Sequence, residues 1–168
     1  LDQVMAAVGQ RLAQLTGAEW GMVSAGCAAA MSHATAACVA GGNPDLHVRI
    51  PNLEGFQKDE VIIPGHSRNV YDAAIRAVGV KIIEVETPEE LELAIGPRTA
   101  MIYIFAGPRN ESGPMGTEAI SSIAKKHNVP VLSLSDTSNC DNQGMTIDLH
   151  RRAYGAGDVF LFSGVLDY

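Results

Sequence analysis

Apolar residues open the chain on a helical repeat. Val4, Val8, Leu12 and Leu15 recur at steps of three or four, and Thr16-Gly17 closes the run. Trp20-Gly21-Met22-Val23 then reads as a short buried strand, Ser24 to Cys27 as a small-residue turn, and the alanine-rich run to Val39 as a helix. Alanine has the best helix propensity and lets a helix sit close to a sheet. Gly41-Gly42-Asn43-Pro44 stops that helix, and Asp45 to Gln57 is irregular, with Pro51, Asn52 and Gly55. Val61-Ile62-Ile63 is a second strand, ended by Pro64-Gly65, and Tyr71 to Val78 is a helix whose apolar face is Ala74, Ile75 and Val78. Lys81 to Val85 is a third strand. Thr87-Pro88-Glu89-Glu90 starts a helix, with Thr as the cap, Pro at the first position and Glu at the third as a capping box. Met101 to Phe105 is a fourth strand, Thr117 to His127 a helix, and Val129-Pro130-Val131-Leu132 opens a fifth strand. Arg151 to Gly157 reads as a short helix and turn, and Val159 to Phe162 as a sixth strand.

Strands alternate with helices, and most strands are continuous apolar runs, so both of their faces must be covered. The pattern predicts an α/β fold: a mostly parallel sheet of about six strands with helices on both faces. Residues 1–168 read as a single α/β domain. In such a sheet, ligands sit beyond the carboxyl ends of the strands. Those ends carry Ser24–Cys27, Pro64–Arg68, Ala106–Ser112, Leu134–Asn139 and Ser163–Val165, so the polar residues of interest converge on one rim.

Composition narrows the functional classes. Hydrophobic residues make up 46% and charged residues 18%, as in a folded chain. The net charge is -7 and no basic run exists, which argues against nucleic-acid contact. No apolar stretch reaches the roughly 20 residues that span a bilayer. The three cysteines, Cys27, Cys38 and Cys140, are odd in number and lack metal-ligand spacing, so a reduced, cytoplasmic setting and no metal site are expected. The chain starts inside a helical pattern and ends just after a strand, which reads as a fragment of a longer protein.

Several residues on the rim could carry chemistry. The first N–H groups of the alanine helix lack partners within it, so Gly26, Cys27 and Ala28 form either an anion site or a plain tight connection. Cys27, at a helix start, is expected to have a somewhat lowered thiol pKa, or else simply to pack. His66 could stack on a flat ring or act as an acid or base, or cap a loop. Arg68 could bind an anion or stand as a solvated charge. Asn110, Glu111 and Ser112 lie in a loop stiffened by two prolines and two glycines, as a site wall or a plain turn. Asp136 could hold a pyridinium proton or cap the next turn, and Ser163 could bind phosphate or end its strand. Neither the G-x-G-x-x-G dinucleotide fingerprint nor a G-x-S-x-G nucleophile elbow is present. A flavodoxin-like or nucleotide-binding domain fits the element order but finds no fingerprint loop.

Taken in order, Ser-Ala-Gly-Cys before the alanine helix, Pro-Gly-His-Ser, Val-Gly-Val-Lys-Ile-Ile-Glu-Val, Gly-Pro-Arg-Asn-Glu-Ser-Gly, Val-Pro-Val-Leu and Phe-Ser-Gly resemble the large domain of fold-type I pyridoxal-phosphate (PLP) enzymes. Within these, the chain is most similar to the selenocysteine-synthase-like branch, which includes L-seryl-tRNA selenium transferase and lyases acting on amino acids or amino sugars. The resemblance is strong from about Val4 to Leu132. It implies a PLP-dependent lyase or transferase with a small-molecule substrate, assembled as a homo-oligomer. It further implies that Gly26, Cys27 and Ala28 hold the cofactor phosphate, that His66 lies against the pyridine ring, and that Asn110 to Ser112 line the substrate side.

Two departures accompany the resemblance. The carboxylate that binds the pyridine nitrogen aligns with Leu134, and Asp136 follows two residues later. That offset keeps the strand face and moves the group about 6–7 Å along the strand. After the sixth strand, Leu166 stands where the family carries its Schiff-base lysine, and the chain's lysines are Lys58, Lys81, Lys125 and Lys126. Without an amine nucleophile no covalent link to PLP forms. A second expectation therefore stands beside the enzyme: a catalytically inactive α/β module that binds at most a phosphate-bearing ligand.

Overall fold

The computed structural model describes residues 1–106, 113–136 and 159–163, with residues 135–136 and 159–163 as backbone only. Five parallel strands form one sheet: β1 (Glu60–Pro64), β2 (Lys81–Val85), β3 (Thr99–Ala106), β4 (Val131–Asp136) and β5 (Val159–Ser163), in the order β2-β1-β3-β4-β5. The chain leaves β1 toward one edge and β3 toward the other. The strand order therefore reverses between β1 and β3, and in open α/β sheets this is where ligand crevices form.

Period-two alternation sends successive strand residues to opposite faces. Val61, Ile63, Met101, Tyr103, Leu132 and Leu134 pack on one side with Met31 and Val39 of α2 (Cys27–Ala40) and Ile75 of α4 (Ala73–Arg76). Ile62, Ile102, Ile104 and Val131 pack on the other with Leu91 of α5 (Pro88–Ala94) and Ile120, Ile123 and Ala124 of α6 (Thr117–Lys126). Helices thus cover both faces, as the apolar runs require. The central strand β3 is buried along its whole length except at Phe105, which is half-buried.

The local signals hold in most places. The first helix, α1, spans Asp2–Thr16 and ends at Gly17 in the left-handed region (φ 76), whose N–H donates to Ala13 O. Thr87 Oγ1 accepts from Glu90 N at 3.2 Å and starts α5. The Glu90 carboxylate takes the N–H of Glu86, one residue upstream of the cap, at 2.8 Å. Within the irregular stretch before β1, Asn43 caps a four-residue helix, α3 (Pro44–His47).

Two expectations need correction. Trp20–Val23 is not a strand, and the sheet is formed, among the described residues, by the five strands given above. Among the described residues, those at 20–23 pair with no strand. They lie along α1, where Gly9 leaves room for the Trp20 ring and Gly21 for Leu12, so side-chain docking has replaced a ladder. Trp20, Met22 and Val23 each stay more than half exposed. The helix expected over Tyr71–Val78 is α-helical only from Ala73 to Arg76, after a 3-10 turn at Val70–Asp72. The segment ends at Gly79 (φ 97), where the Pro51 carbonyl leaves no space for a side chain. The predicted turn at Arg151–Gly157 lies outside the described residues.

Candidate functional site

α2 runs antiparallel to the strands. Cys38, near its end, lines a crevice with Met101, Pro130 and Leu132 at the amino side of β3 and β4, while Cys27 at its start packs in the cluster that holds Tyr103 and Leu134. Its first turn therefore sits toward the carboxyl rim. Its N-cap, Gly26, has no side chain to cap that turn. Gly26 at the N-cap has φ 98, a conformation strained for any residue with a Cβ, and a Cβ there would meet no neighbour within 4 Å among the described residues. The result is an open backbone edge, with the N–H groups of Cys27, Ala28 and Ala29 lacking acceptors inside the helix. The Cys27 thiol does not follow expectation: burial raises its pKa, and the helix start does not overcome that desolvation.

His66 lies in a 3-10 turn, Gly65–Ser67, directly after β1 and next to the strand reversal. Its imidazole is exposed, and its pKa is lowered by partial burial, opposed by the nearby Glu86 carboxylate. That carboxylate lies against the Gly65 backbone, in the space a Cβ would fill. Arg68, two residues on, donates from Nε to Asp72 Oδ2 and from a terminal nitrogen to Glu84 Oε2, both at 2.6 Å. Asp72 is 2% exposed and also accepts from Arg76 Nε at 2.9 Å. Burial pushes its carboxyl up, and the bonds and charges of Arg68 and Arg76 more than offset this, holding it below the usual carboxylate range. Arg68 thus stitches the His66 turn to β2, with two of its N–H directions already used.

Sequence reasoning missed a buried phenol and its half-buried amide partner here. Tyr103, in the middle of β3, is 0% exposed, and its Oη accepts from Asn69 Nδ2 at 3.3 Å. Burial pushes the phenol pKa up to about 12, against a small lowering from Asn69. Asn69 Nδ2 also donates to Ser67 O at 2.9 Å, and its Oδ1 accepts from Tyr71 N at 2.8 Å. The available signal was a single hydroxyl inside the apolar run Met101–Ala106.

Asp136 and Ser163 end β4 and β5 and pair in register, and Ser135 pairs with Ala106 at the end of β3. Position 136 falls on the same strand face as Leu132 and Leu134, the face that α2 covers. Asn110, Glu111 and Ser112 lie outside the described residues, as do Cys140 and Leu166. The rim therefore brings together the first turn of α2, the His66 turn and the ends of β4 and β5. The four lysines lie elsewhere. Lys81 begins β2 and Lys125 and Lys126 end α6, while Lys58 lines a crevice with Thr99, His127 and Val129; all are at the amino edge of the sheet. Among the described residues no three His, Cys, Asp or Glu side chains gather as a metal site, and no helix is long and apolar enough to cross a membrane.

No protein-family model matches the chain. It is 31% identical over 144 residues to the 5'-C-glycyluridine monooxygenase-decarboxylase of a Streptomyces species, covering 79% of this chain and 36% of that protein. It is 24% identical over 141 residues to the D-glucosaminate-6-phosphate ammonia lyase of Salmonella typhimurium, covering 79% and 38%. A solved structure of a D-glucosaminate-6-phosphate ammonia-lyase superposes with a TM-score of 0.78 at 22% identity, over 96% of this chain and 44% of that one. The pyridoxal-5'-phosphate dependent protein YhfS of Escherichia coli superposes at 0.57 and 13% identity, over 78% and 33%. The chain thus spans little more than a third of the curated relatives it matches. The chain shares the α/β fold of these neighbours, one of which is named as pyridoxal-5'-phosphate dependent.

Proposed function

We propose that this chain is the large, cofactor-binding domain of a PLP-dependent lyase or transferase acting on an amino-acid or amino-sugar substrate. The observation that carries the reading is the rim itself. A helix start with glycine at its N-cap, an imidazole turn and the paired ends of β4 and β5 all lie toward the side of the sheet where α/β folds bind ligands. Likeness to an ammonia lyase whose name specifies a phosphorylated amino-sugar acid supports the substrate class. The selenocysteine-synthase-like branch stays part of the proposal, supported by the Ser-Ala-Gly-Cys and Pro-Gly-His-Ser motifs. A cytoplasmic setting is supported by the free thiols of Cys27 and Cys38, and a homo-oligomer by the exposed apolar side chains of Leu1, Val4, Trp20 and Val23.

The residues present fit the non-covalent needs of PLP. The open backbone at Gly26, Cys27 and Ala28 would take the phosphate, with Ser163 a further donor. His66 would lie against the ring, and Asp136 would serve the pyridine nitrogen. Asn110, Glu111, Ser112 and Arg68 would line the substrate side. When bound, PLP supplies an electron sink for the substrate carbon that bears the amine. The chain's own part is to orient the ring and hold the proton at its nitrogen.

One observation favours the second reading, a non-catalytic module that binds at most a phosphate-bearing ligand: all four lysines sit at the amino edge, away from this rim. Titration with PLP, followed by borohydride reduction and peptide mapping, tests both. Saturable uptake displaced by inorganic phosphate supports the site, and no uptake at about millimolar PLP overturns it. A reduced adduct on one unique residue favours the enzyme. Uptake with no such adduct favours the module.

A further inference from the structure

We propose that Asn69 is a positioning residue: anchored on Tyr103, it fixes the His66-bearing turn against the first turn of α2. The ligand named in the test rests on the functional reading above, whereas the coupling does not. A buried phenol needs a partner. Tyr103 finds it in Asn69 Nδ2 at 3.3 Å, and the same nitrogen holds the Ser67 carbonyl at 2.9 Å while Oδ1 caps Tyr71 N at 2.8 Å. One side chain thus ties β3, the His66 turn and the 3-10 turn that follows. The other candidate tethers do not replace it. Arg68 clamps the turn to Glu84 on β2, on the side away from α2, and the buried Ser67 hydroxyl has no partner among the described residues that would hold the turn.

Tyr103 connects this tie to α2. Cys27, the first residue of α2, packs against the same buried cluster that holds Tyr103. Further along, Ser32 Oγ donates to Ala74 O at 2.8 Å, which joins α2 to α4 but lies beyond the first turn. The spacing between His66 and the open N–H groups of α2 is therefore set through Tyr103 and Asn69. An amide suits the place because it gives two hydrogens and takes one. Aspartate would lose both donations, and leucine would leave the Ser67 carbonyl, the phenol and Tyr71 N–H unmatched.

The test is amide hydrogen exchange together with PLP titration on the whole chain, for wild type, Asn69→Ala, Tyr103→Phe and Arg68→Ala. In Asn69→Ala and Tyr103→Phe, exchange is expected to rise about tenfold at residues 67–69 and also at Ala30–Ser32, with the centre of β3 unchanged. PLP affinity should fall by a similar factor. Arg68→Ala should loosen residues 67–69 but leave Ala30–Ser32 as in wild type. Unchanged exchange at Ala30–Ser32 in both Asn69→Ala and Tyr103→Phe overturns the proposal. If Asn69→Ala fails to fold, Tyr103→Phe, which removes one oxygen, decides. If wild type takes up no PLP, the functional reading fails, and the exchange data still decide the coupling.

Discussion

Asp72 offers the sharpest test of how the His66 turn is held. Asp72→Asn keeps the shape and removes the charge from a side chain 2% exposed that accepts from Arg68 at 2.6 Å and Arg76 at 2.9 Å. A hydrogen bond to a charged group is worth about 1.5–3 kcal/mol, and half-breaking a fully buried ion pair costs about 3–5 kcal/mol. Both arginines keep water on one side, with side chains 34% and 52% exposed, and asparagine retains one acceptor. The expected loss is therefore about 2–3 kcal/mol, or roughly 5–10 °C in Tm for a domain of this size. Urea unfolding followed by circular dichroism should show a lower midpoint at unchanged slope. The pH dependence has a fixed sign. The folded carboxyl titrates below its unfolded value, so its stabilisation is complete above about pH 4 and is lost as pH falls through the folded pKa. Wild type should lose this increment in acid, and Asp72→Asn should not. A variant within about 0.5 kcal/mol of wild type, with the same acid slope, would refute the claim that the buried carboxylate holds the turn.

Further outcomes follow from the same geometry. Gly26→Ala, forced to φ near 98, should cost about 1–2 kcal/mol and weaken uptake of phosphate-bearing ligands, read by thermal melts and phosphate competition. Thr87→Ala removes the cap that accepts from Glu90 N and should lower stability by about 1 kcal/mol in denaturant melts without altering PLP uptake. Cys27 should react slowly with thiol reagents at neutral pH because burial raises its pKa, and saturating phosphate should slow it further. Tyr103, with its phenol at about 12 when folded, stabilises fully below the ordinary tyrosine pKa near 10 and loses that contribution as pH rises through about 12; ultraviolet titration should show a late phenol that is lost in Tyr103→Phe.

The fold was legible wherever a single physical signal decided it. Continuous apolar runs at Val61–Ile63 and Met101–Phe105 gave parallel strands because both faces are covered, and Thr87-Pro88 and Gly17 marked helix ends through their own backbone needs. Reading failed where partners decided. Trp20–Val23 has strand composition, yet a strand exists only through its neighbour, and glycines at positions 9 and 21 gave the segment a closer partner in α1. The Cys27 thiol was misjudged for a related reason. A helix start is visible in sequence, whereas the desolvation that outweighs it is a property of packing.

The candidate site divides along the same line. His66 and Arg68 stand out because they follow a strand at the rim, but what Arg68 does was hidden, since Asp72 and Glu84 are its partners from four and sixteen residues away. Asn69 and Tyr103 lie 34 residues apart, and nothing local joins them. The two-residue offset at Asp136 could be weighed from sequence only as a face argument. Pairing Asp136 with Ser163 and Ser135 with Ala106 sets position 136 one residue beyond the end of β3 in register and on the face that α2 covers. On the proposed function a carboxylate would have to lie on that face to meet a ring held at the α2 start, and the two-residue offset keeps position 136 on it. The lysines fail the corresponding condition, because their elements all begin or end at the opposite edge.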